Sequence, residues 1–287
     1  MNTKQSFPES HRKMRPEALL LLNEDFIQRF YGDDDYCLGE GFLCLGIEDT
    51  IVELPSTSAI RAVYGATSGS ADSMVAQARA SFLFDAENHL VIHAGLSRCD
   101  SLEWDLDSGH LEALRLLPRD ERILLTLDSA YASLRSVCAL EREDVSYVMR
   151  ISSMFEAEIL EAAHSDSKIT IIITANQARD CQARGMRVPT GTVLTVRVIK
   201  IPVDADKIEE TIITNVSAEM LSYNAIKRMY DKYWGQKATP HYNTIKNRIS
   251  GLTPLAVEQD YQSAVLLANV ETVMTKGKAK SLRKTQN

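Results

Sequence analysis

The apolar residues of this chain come in short runs, and that limits what it can fold into. The longest, Lys168–Ala175 and Thr192–Val203, are strand-sized. None approaches the ~18–20 residues that a membrane-crossing helix needs. Between the runs lie stretches with helical spacing, so the pattern alternates. Pro16–Tyr31 is predicted helical, with Leu19–Leu22, Phe26, Ile27 and Phe30 roughly on one face. Gly41–Ile47 (GFLCLGI) reads as a buried strand bounded by glycine and ending at Glu48, and Val52–Pro55 as a small turn. Thr67–Ser73 is a loop. Ala78–Phe84 and Leu90–Leu96, separated by Asp85–His89, form a hairpin candidate. Ser101–Leu117 reads as a helix stopped by Pro118. Arg122–Leu127 is a buried strand ending at Asp128, Ala130–Glu141 a helix and Val145–Ile151 a strand. This order predicts an α/β layer with mixed strand directions.

Beyond it the pattern changes. Lys168–Ala175, Thr192–Val203 and Lys207–Asn215 are rich in Val, Ile and Thr. They read as a mostly antiparallel β segment placed before the last helices. Ser217 with Glu219 opens a helical stretch to about Tyr233. Thr239 and Pro240 suit the N-cap and first position of another helix, to Ile249. Pro254–Val273 is a final apolar helix.

At 287 residues the chain suits about one or two domains. Its 45% hydrophobic and 25% charged residues are ordinary for a globular protein and exclude disorder, collagen and coiled coil. Cysteines stand at 37, 44, 99, 138 and 181, with no CxxC pair and no histidine at zinc spacing. They read as free thiols in a reducing compartment. Met1–Arg15 is polar and lacks a signal peptide's apolar stretch, so the expected location is cytoplasmic.

Lys+Arg is 32 against 39 Asp+Glu, a net charge of −7. Taken globally, that speaks against a nucleic-acid protein. The charge is uneven, however. Arg29 to Arg61 encloses no basic residue but holds Asp33, Asp34, Asp35, Glu40, Glu48, Asp49 and Glu53. Lys227–Arg248 carries Lys227, Arg228, Lys232, Lys237, Lys246 and Arg248 against Asp231 alone, and the tail adds Lys276, Lys278, Lys280, Arg283 and Lys284. A solvated surface accounts for any one such run. An acidic first third facing a basic last third also suits a metal site beside a polyanion.

Two acidic positions close predicted buried strands: Glu48, followed by Asp49, and Asp128. Carboxylates there project into the crevice where open α/β sheets hold ligands. Converging carboxylates can hold Mg²⁺ ions about 3.5–4 Å apart for phosphoryl transfer. By itself the signal is weak, because an acid after a strand is more often a turn or cap residue. Asp128 suits both roles. Tyr230, Tyr233 and Trp234 form an aromatic cluster at helical spacing. His93 and His110 read as structural, with no partner evident in the sequence.

Four segments carry a resemblance. They are GFLCLGIEDTIVELP (41–55), LTLDSAYASLRSVCALEREDVSYVMRIS (125–152), VRVIKIPVDADKIEETIITNVS (196–217), and MYDKYWGQKATPHYNTIKNRI with SGLTPLAVEQDYQSAVLLANV (229–270). In this order they resemble the DDE transposases of bacterial insertion sequences, in the group marked by a Tyr–Arg–Glu–Lys signature. The resemblance implies an RNase H-like mixed sheet flanked by helices, with an inserted, mostly β segment at about 165–216 before the last catalytic helix. It implies residues 1–40 as an N-terminal helical segment, 41–275 as the catalytic domain and 276–287 as a basic tail. It further implies Mg²⁺- or Mn²⁺-dependent cutting and joining of DNA, transposon-end and target DNA as partners, a homodimer on DNA, and no membrane.

Carried over residue by residue, the resemblance makes Glu48 and Asp128 the metal ligands, with Asp49 the alternative first acid. Tyr230 takes the signature tyrosine, while Lys246 and Arg248 face DNA. The departures from the family are specific. Glu48 stands where the family has Asp. Tyr233 stands at the signature arginine, removing a phosphate clamp. Lys237 stands at the signature glutamate, removing a ligand and adding a cation. Residues 1–40 show no helix-turn-helix pattern, although the family usually carries a DNA-end-binding segment there. The expectation is a transposase, catalytically impaired and in a degenerate or truncated copy. The alternatives are a non-catalytic DNA-binding relative and a metal-dependent nuclease of another substrate class.

Overall fold

A computed structural model describes residues 14–33, 35–68, 74–101, 108–152, 165–202, 209–234, 245 and 248–285. Helix α1 spans Pro16–Gly32, with Pro16 at its first position, where a missing N–H costs nothing. Strand β1 is Leu43–Glu53 and is followed by α2 (Ser58–Tyr64), capped by the Thr57 hydroxyl. A short strand β2 (Ala66–Ser68) leads to the hairpin of β3 (Met74–Asp85) and β4 (Leu90–Arg98). Helix α3 (Ser108–Ala113) runs into a 3₁₀ turn, Leu114–Leu116. Then come β5 (Ile123–Leu127), α4 (Leu134–Arg142) and β6 (Ser146–Ile151). The inserted segment gives β7 (Asp166–Ile172), α5 (Ala175–Ala183), β8 (Val193–Pro202) and β9 (Glu209–Thr214). Helices α6 (Tyr223–Tyr233) and α7 (Pro254–Thr285) follow.

The described strands form one mixed sheet. Reading across it, β4, β3 and β1 are antiparallel neighbours. β5 lies parallel to β1, and β6 parallel to β5. An antiparallel meander whose first strand continues into two parallel strands is the RNase H-like arrangement. The insertion extends this sheet: β9 pairs antiparallel with β6, β8 with β9 and β7 with β8. The mostly antiparallel insertion read from its Val/Ile/Thr content is thus built as expected.

Helices cover both faces. On one, Leu43, Leu45, Ile47, Leu125, Leu127 and Leu83 pack against Ile27 and Tyr31 of α1 and Val137 and Leu140 of α4. The opposite face is split. Over β3 and β4, Tyr261 and Val265 of α7 and Ile60 of α2 cover Ala78, Ala80 and Phe82. Over β5, β6, β8 and β9, Ile226, Met229 and Tyr230 of α6 cover Leu124, Val148, Ile199 and Ile212.

Several sequence expectations shift. β1 runs to Glu53 instead of ending at Glu48, because its far half pairs with β3 through Glu53 opposite Gln77. The helix read from Ala130 begins at Leu134, after a 3₁₀ turn at Ser129–Tyr131 and an N-cap at Ser133. The helix read from Ser217 begins at Tyr223 behind the Ser222 cap. α7 continues well past Val273. The first part of the Ser101–Leu117 helix and most of the Thr239–Ile249 helix lie outside the described residues. All five cysteines are free. Among the described residues no helix is long and apolar enough to cross a membrane.

The outer edge of β4 is closed by side chains. Asn269 of α7 accepts from Val91 N (2.8 Å) and donates to Val91 O (2.8 Å) and Asn23 Oδ1. Asn23 of α1 donates to Val91 O and Ile92 O, and Gln262 to Ala94 O. Open strand edges invite foreign pairing, and here amides of α1 and α7 block it. Nearby, Asp85 accepts from Tyr31 Oη (2.6 Å), Glu87 N, Asn88 N and Asn88 Nδ2, which fixes the β3–β4 turn.

Two outcomes follow from these buried groups. Asn269→Ala strands the Val91 N–H and is expected to lower the unfolding free energy by about 3 kcal/mol in urea titration. Burial pushes the Asp85 carboxyl above its ordinary range, against the hydrogen bonds from Tyr31, Asn88 and Glu87 that pull it down. The folded state therefore binds this proton at higher pH than the unfolded chain does, so the stability contributed by Asp85 rises as pH falls through its folded pKa. The stability gap between wild type and Asp85→Asn is expected to move in favour of wild type as the pH is lowered through the range where folded Asp85 takes up its proton. A flat gap, or one that moves the other way, contradicts this.

Candidate functional site

Strand β1 decides where each acid points. Its pairing with β3 is unbroken from Leu45 to Glu53, so alternate residues face opposite sides of the sheet. Leu43, Leu45, Ile47 and Asp49 share the face covered by α1 and α4. Cys44, Gly46 and Glu48 share the face covered by α6 and α7. Phe84 lies over Gly46: a Cβ at Gly46 would come within 2.5 Å of the ring.

Strand β5 obeys the same alternation. Leu125 and Leu127 join the first face, whereas Leu124 joins the second and Asp128 follows its parity. The parallel register sets Cys44 beside Leu124 and Ile47 beside Leu127. One step beyond the last register pair, Glu48 and Asp128 follow with the same parity, so the two acids named from the sequence lie on one face of the sheet.

Asp128 is not an isolated carboxylate. Its Oδ1 caps the following turn by accepting from Ser129 N (2.6 Å). The same oxygen accepts from Arg150 Nε (2.8 Å) and Nη2 (2.5 Å). Arg150 closes β6 on this face, and its Nη1 lies 3.6 Å from Glu210 Oε1 of β9. Burial would lower the Arg150 pKa, but the charge of Asp128, its hydrogen bond and Glu210 outweigh that and raise it. Arg150 also hydrogen-bonds the Tyr230 hydroxyl. Tyr230 is raised by burial first and by Glu210 second, against the influence of Arg150. Trp234 stacks on the Tyr230 ring at 5.8 Å. Arg150 thus gathers Asp128, Glu210 and Tyr230 around it, with Glu48 on the same face of β1.

Asp49 belongs to another network on the opposite face. It lies 3.8 Å from Arg79 Nη1, and it accepts from the Tyr131 hydroxyl, which accepts in turn from Ser81. Ser81 Oγ contacts His110 Nε2 (2.6 Å), and His110 Nδ1 contacts His93 Nδ1 (2.8 Å). The two histidines without evident sequence partners are therefore each other's partners. One ion cannot bind Asp49 and Asp128 together across the sheet.

The remaining sequence candidates are dispersed. Lys237 and Lys246 lie outside the described residues. Arg248 pairs with Glu271 of α7 (3.1 Å) instead of joining Asp128. Tyr233, at the family's arginine position, hydrogen-bonds Glu87 and sits near Cys44, whose thiol burial pushes up to about 12. Two of the late cations serve inside the molecule: Arg228 binds Glu40 through both carboxylate oxygens (2.9 Å each), and Lys232 binds Glu87 (2.5 Å).

Sequence reasoning missed Arg150 and Glu210 as site residues. The signal for Arg150 was the one used for the acids, a polar residue ending a buried strand. Glu210 carried no comparable signal, because its place depends on the insertion pairing with β6.

A two-ion Mg²⁺ centre does not fit these residues as they stand. The Asp128 carboxylate already holds a guanidinium, and Lys237, which the resemblance puts at a third acid position, lies outside the described residues. Among the described residues no group of three or more His, Cys, Asp or Glu is arranged to hold a metal. A divalent ion about 4 Å from Arg150 would meet repulsion of about 8 kcal/mol at an effective dielectric near 20.

The register has a direct check. Glu48→Cys with Asp128→Cys places two Cα atoms within disulfide range, so oxidation is expected to yield that intramolecular crosslink by peptide mass spectrometry. Asp49→Cys with Asp128→Cys is expected to yield none. Arg150→Met is expected to cost about 1–2 kcal/mol in urea titration, an amount reduced by the partial exposure of the pair.

No family model matches the chain, and no curated protein matches it. Among solved structures it is similar to a piggyBac transposase, in a cryo-EM structure of its synaptic complex with hairpin DNA. Identity is 12% and the TM-score 0.44, over 82% of this chain and 48% of that one. The chain spans about half the length of that transposase.

Proposed function

We propose that this protein is a DNA-binding member of the transposase class whose phosphoryl-transfer site is impaired. The observation that supports it best is the parallel register of β1 and β5, which runs to Ile47 beside Leu127, the residues just before Glu48 and Asp128, in an RNase H-like sheet. The four-block resemblance supplies the substrate class, DNA. Impairment follows from the same place. Arg150 holds the Asp128 carboxylate, and Lys237 stands where a third acid is needed.

The residues at hand do the following. Asp128 caps the turn that starts the path to α4 and anchors Arg150. Glu210 steadies the guanidinium from the insertion, and Tyr230 joins it from α6. Such a site can hold and orient a phosphate through Arg150 and Tyr230, but Arg150 engages the carboxylates, Asp128 and Glu210, that would otherwise hold a metal to activate a hydroxyl. DNA affinity is assigned to the end of α7. From Lys276 onward the helix carries Lys276, Lys278, Lys280, Arg283 and Lys284 and no acid. On DNA the protein is proposed to act as a homodimer, and Mg²⁺ or Mn²⁺ would matter only if the site could be vacated by Arg150.

Fluorescence anisotropy with duplex DNA tests this reading. Binding is expected at low salt, with a log–log slope of about −3 to −4 as several phosphates are neutralised. Replacing the five tail cations with Gln is expected to remove most of that slope. Supercoiled plasmid with Mg²⁺ or Mn²⁺ is expected to stay uncut. No binding at low salt, or nicking that Asp128→Ala abolishes, overturns the proposal.

A further inference from the structure

We propose that Arg150 is the resident cation of the strand-end site. Its guanidinium takes the place a divalent ion would hold between Asp128 and the neighbouring acids, and it excludes that ion.

The geometry carries this. Nε and Nη2 both reach Asp128 Oδ1, at 2.8 and 2.5 Å, while Nη1 faces Glu210 Oε1 at 3.6 Å. One guanidinium therefore spans two carboxylates from two strands, β9 and the end of β5, as a bridging metal would. Asp128 Oδ1 already accepts from Ser129 N as well, so the oxygen has three donors. The arginine is also held in place. It is the penultimate residue of β6, opposite Ile212 of β9, and its side chain is only 26% exposed. Tyr230 of α6 contacts it from above. Swinging away would cost it two acids and a phenol.

The groups that act on Arg150 come from three surrounding elements: Asp128 after β5, Glu210 on β9 and Tyr230 on α6. The insertion thus has a specific part, since Glu210 lies on its last strand. Without β9 paired to β6, one of the two anchors of Arg150 would be missing. The inference stands whether or not the protein binds DNA, because it concerns only which cation the carboxylates hold.

Electron paramagnetic resonance titration with Mn²⁺ alone, in the full chain, tests it. Wild type is expected to show no saturable Mn²⁺ site. Arg150→Gln is expected to acquire one, tighter than any wild-type binding by about tenfold or more, and Arg150→Gln with Asp128→Asn is expected to lose it. A merely structural role for Arg150 would not create an Asp128-dependent metal site. Wild-type binding of one Mn²⁺ that Asp128→Asn removes would overturn the proposal, as would a folded Arg150→Gln that binds none. Should Arg150→Gln fail to fold by circular dichroism, Glu210→Gln decides. It frees one anchor and is expected to strengthen Mn²⁺ binding over wild type, and unchanged binding overturns the proposal.

Discussion

The strict alternation of β1, held between antiparallel β3 and parallel β5, governs where the chemistry of this protein lies. Leu43, Leu45 and Ile47 are drawn into the core beneath α1 and α4, and burying each side chain stabilises the fold by about 1.5–3 kcal/mol. A slip of one residue would expose that whole set. The same constraint sends Glu48 to the far face and Asp49 into the network of Arg79, Tyr131 and Ser81. Two adjacent acids thereby acquire unrelated surroundings. Because β5 runs in register with β1, Asp128 is carried to Glu48 by the same hydrophobic force.

Charge follows a comparable logic. The acidic early segment and the basic late segment suggested a metal beside a polyanion. Part of that opposition is met within the molecule: Glu40 takes Arg228 and, outside the acidic segment, Glu87 takes Lys232, while Asp49 takes Arg79 of the neighbouring strand. Two of these pairs dock α6 onto the segments around β1 and the β3–β4 turn. In the sequence the largest uncompensated run of bases is Lys276 to Lys284, where the proposed DNA contact lies, and a negative total is compatible with such a local excess.

Much of the sheet was legible because short apolar runs and a five-residue turn have strong periodic signals. RILLTL and VSYVMRI gave β5 and β6 almost to the residue. The failures have physical causes. β1 was cut short because Asp49, Thr50 and Glu53 looked like turn residues, yet antiparallel pairing to β3 tolerates polar side chains at partly covered positions. Helix α5 was missed because its sequence is polar and buries mainly Cys181. Its signal was the capping box of Thr174 and Gln177, a start signal and not a periodicity. The end of α7 is rich in Lys and short of apolar residues, so its pattern fades although no proline stops the helix. Of the site, Glu48 and Asp128 were readable from strand ends. Arg150 stands near a strand end as those acids do but carries no carboxylate, and the position of Glu210 depends on the long-range pairing of β9 with β6.

The central claim is that Glu48 and Asp128 adjoin on one face, with the Arg150 guanidinium as the cation on Asp128. A crystal structure from Mn²⁺-soaked crystals, read by anomalous scattering, tests it most directly. The Arg150–Asp128 contact is expected to persist, with no anomalous peak beside it. A Mn²⁺ peak shared by Glu48 and Asp128, with Arg150 turned away, would contradict it.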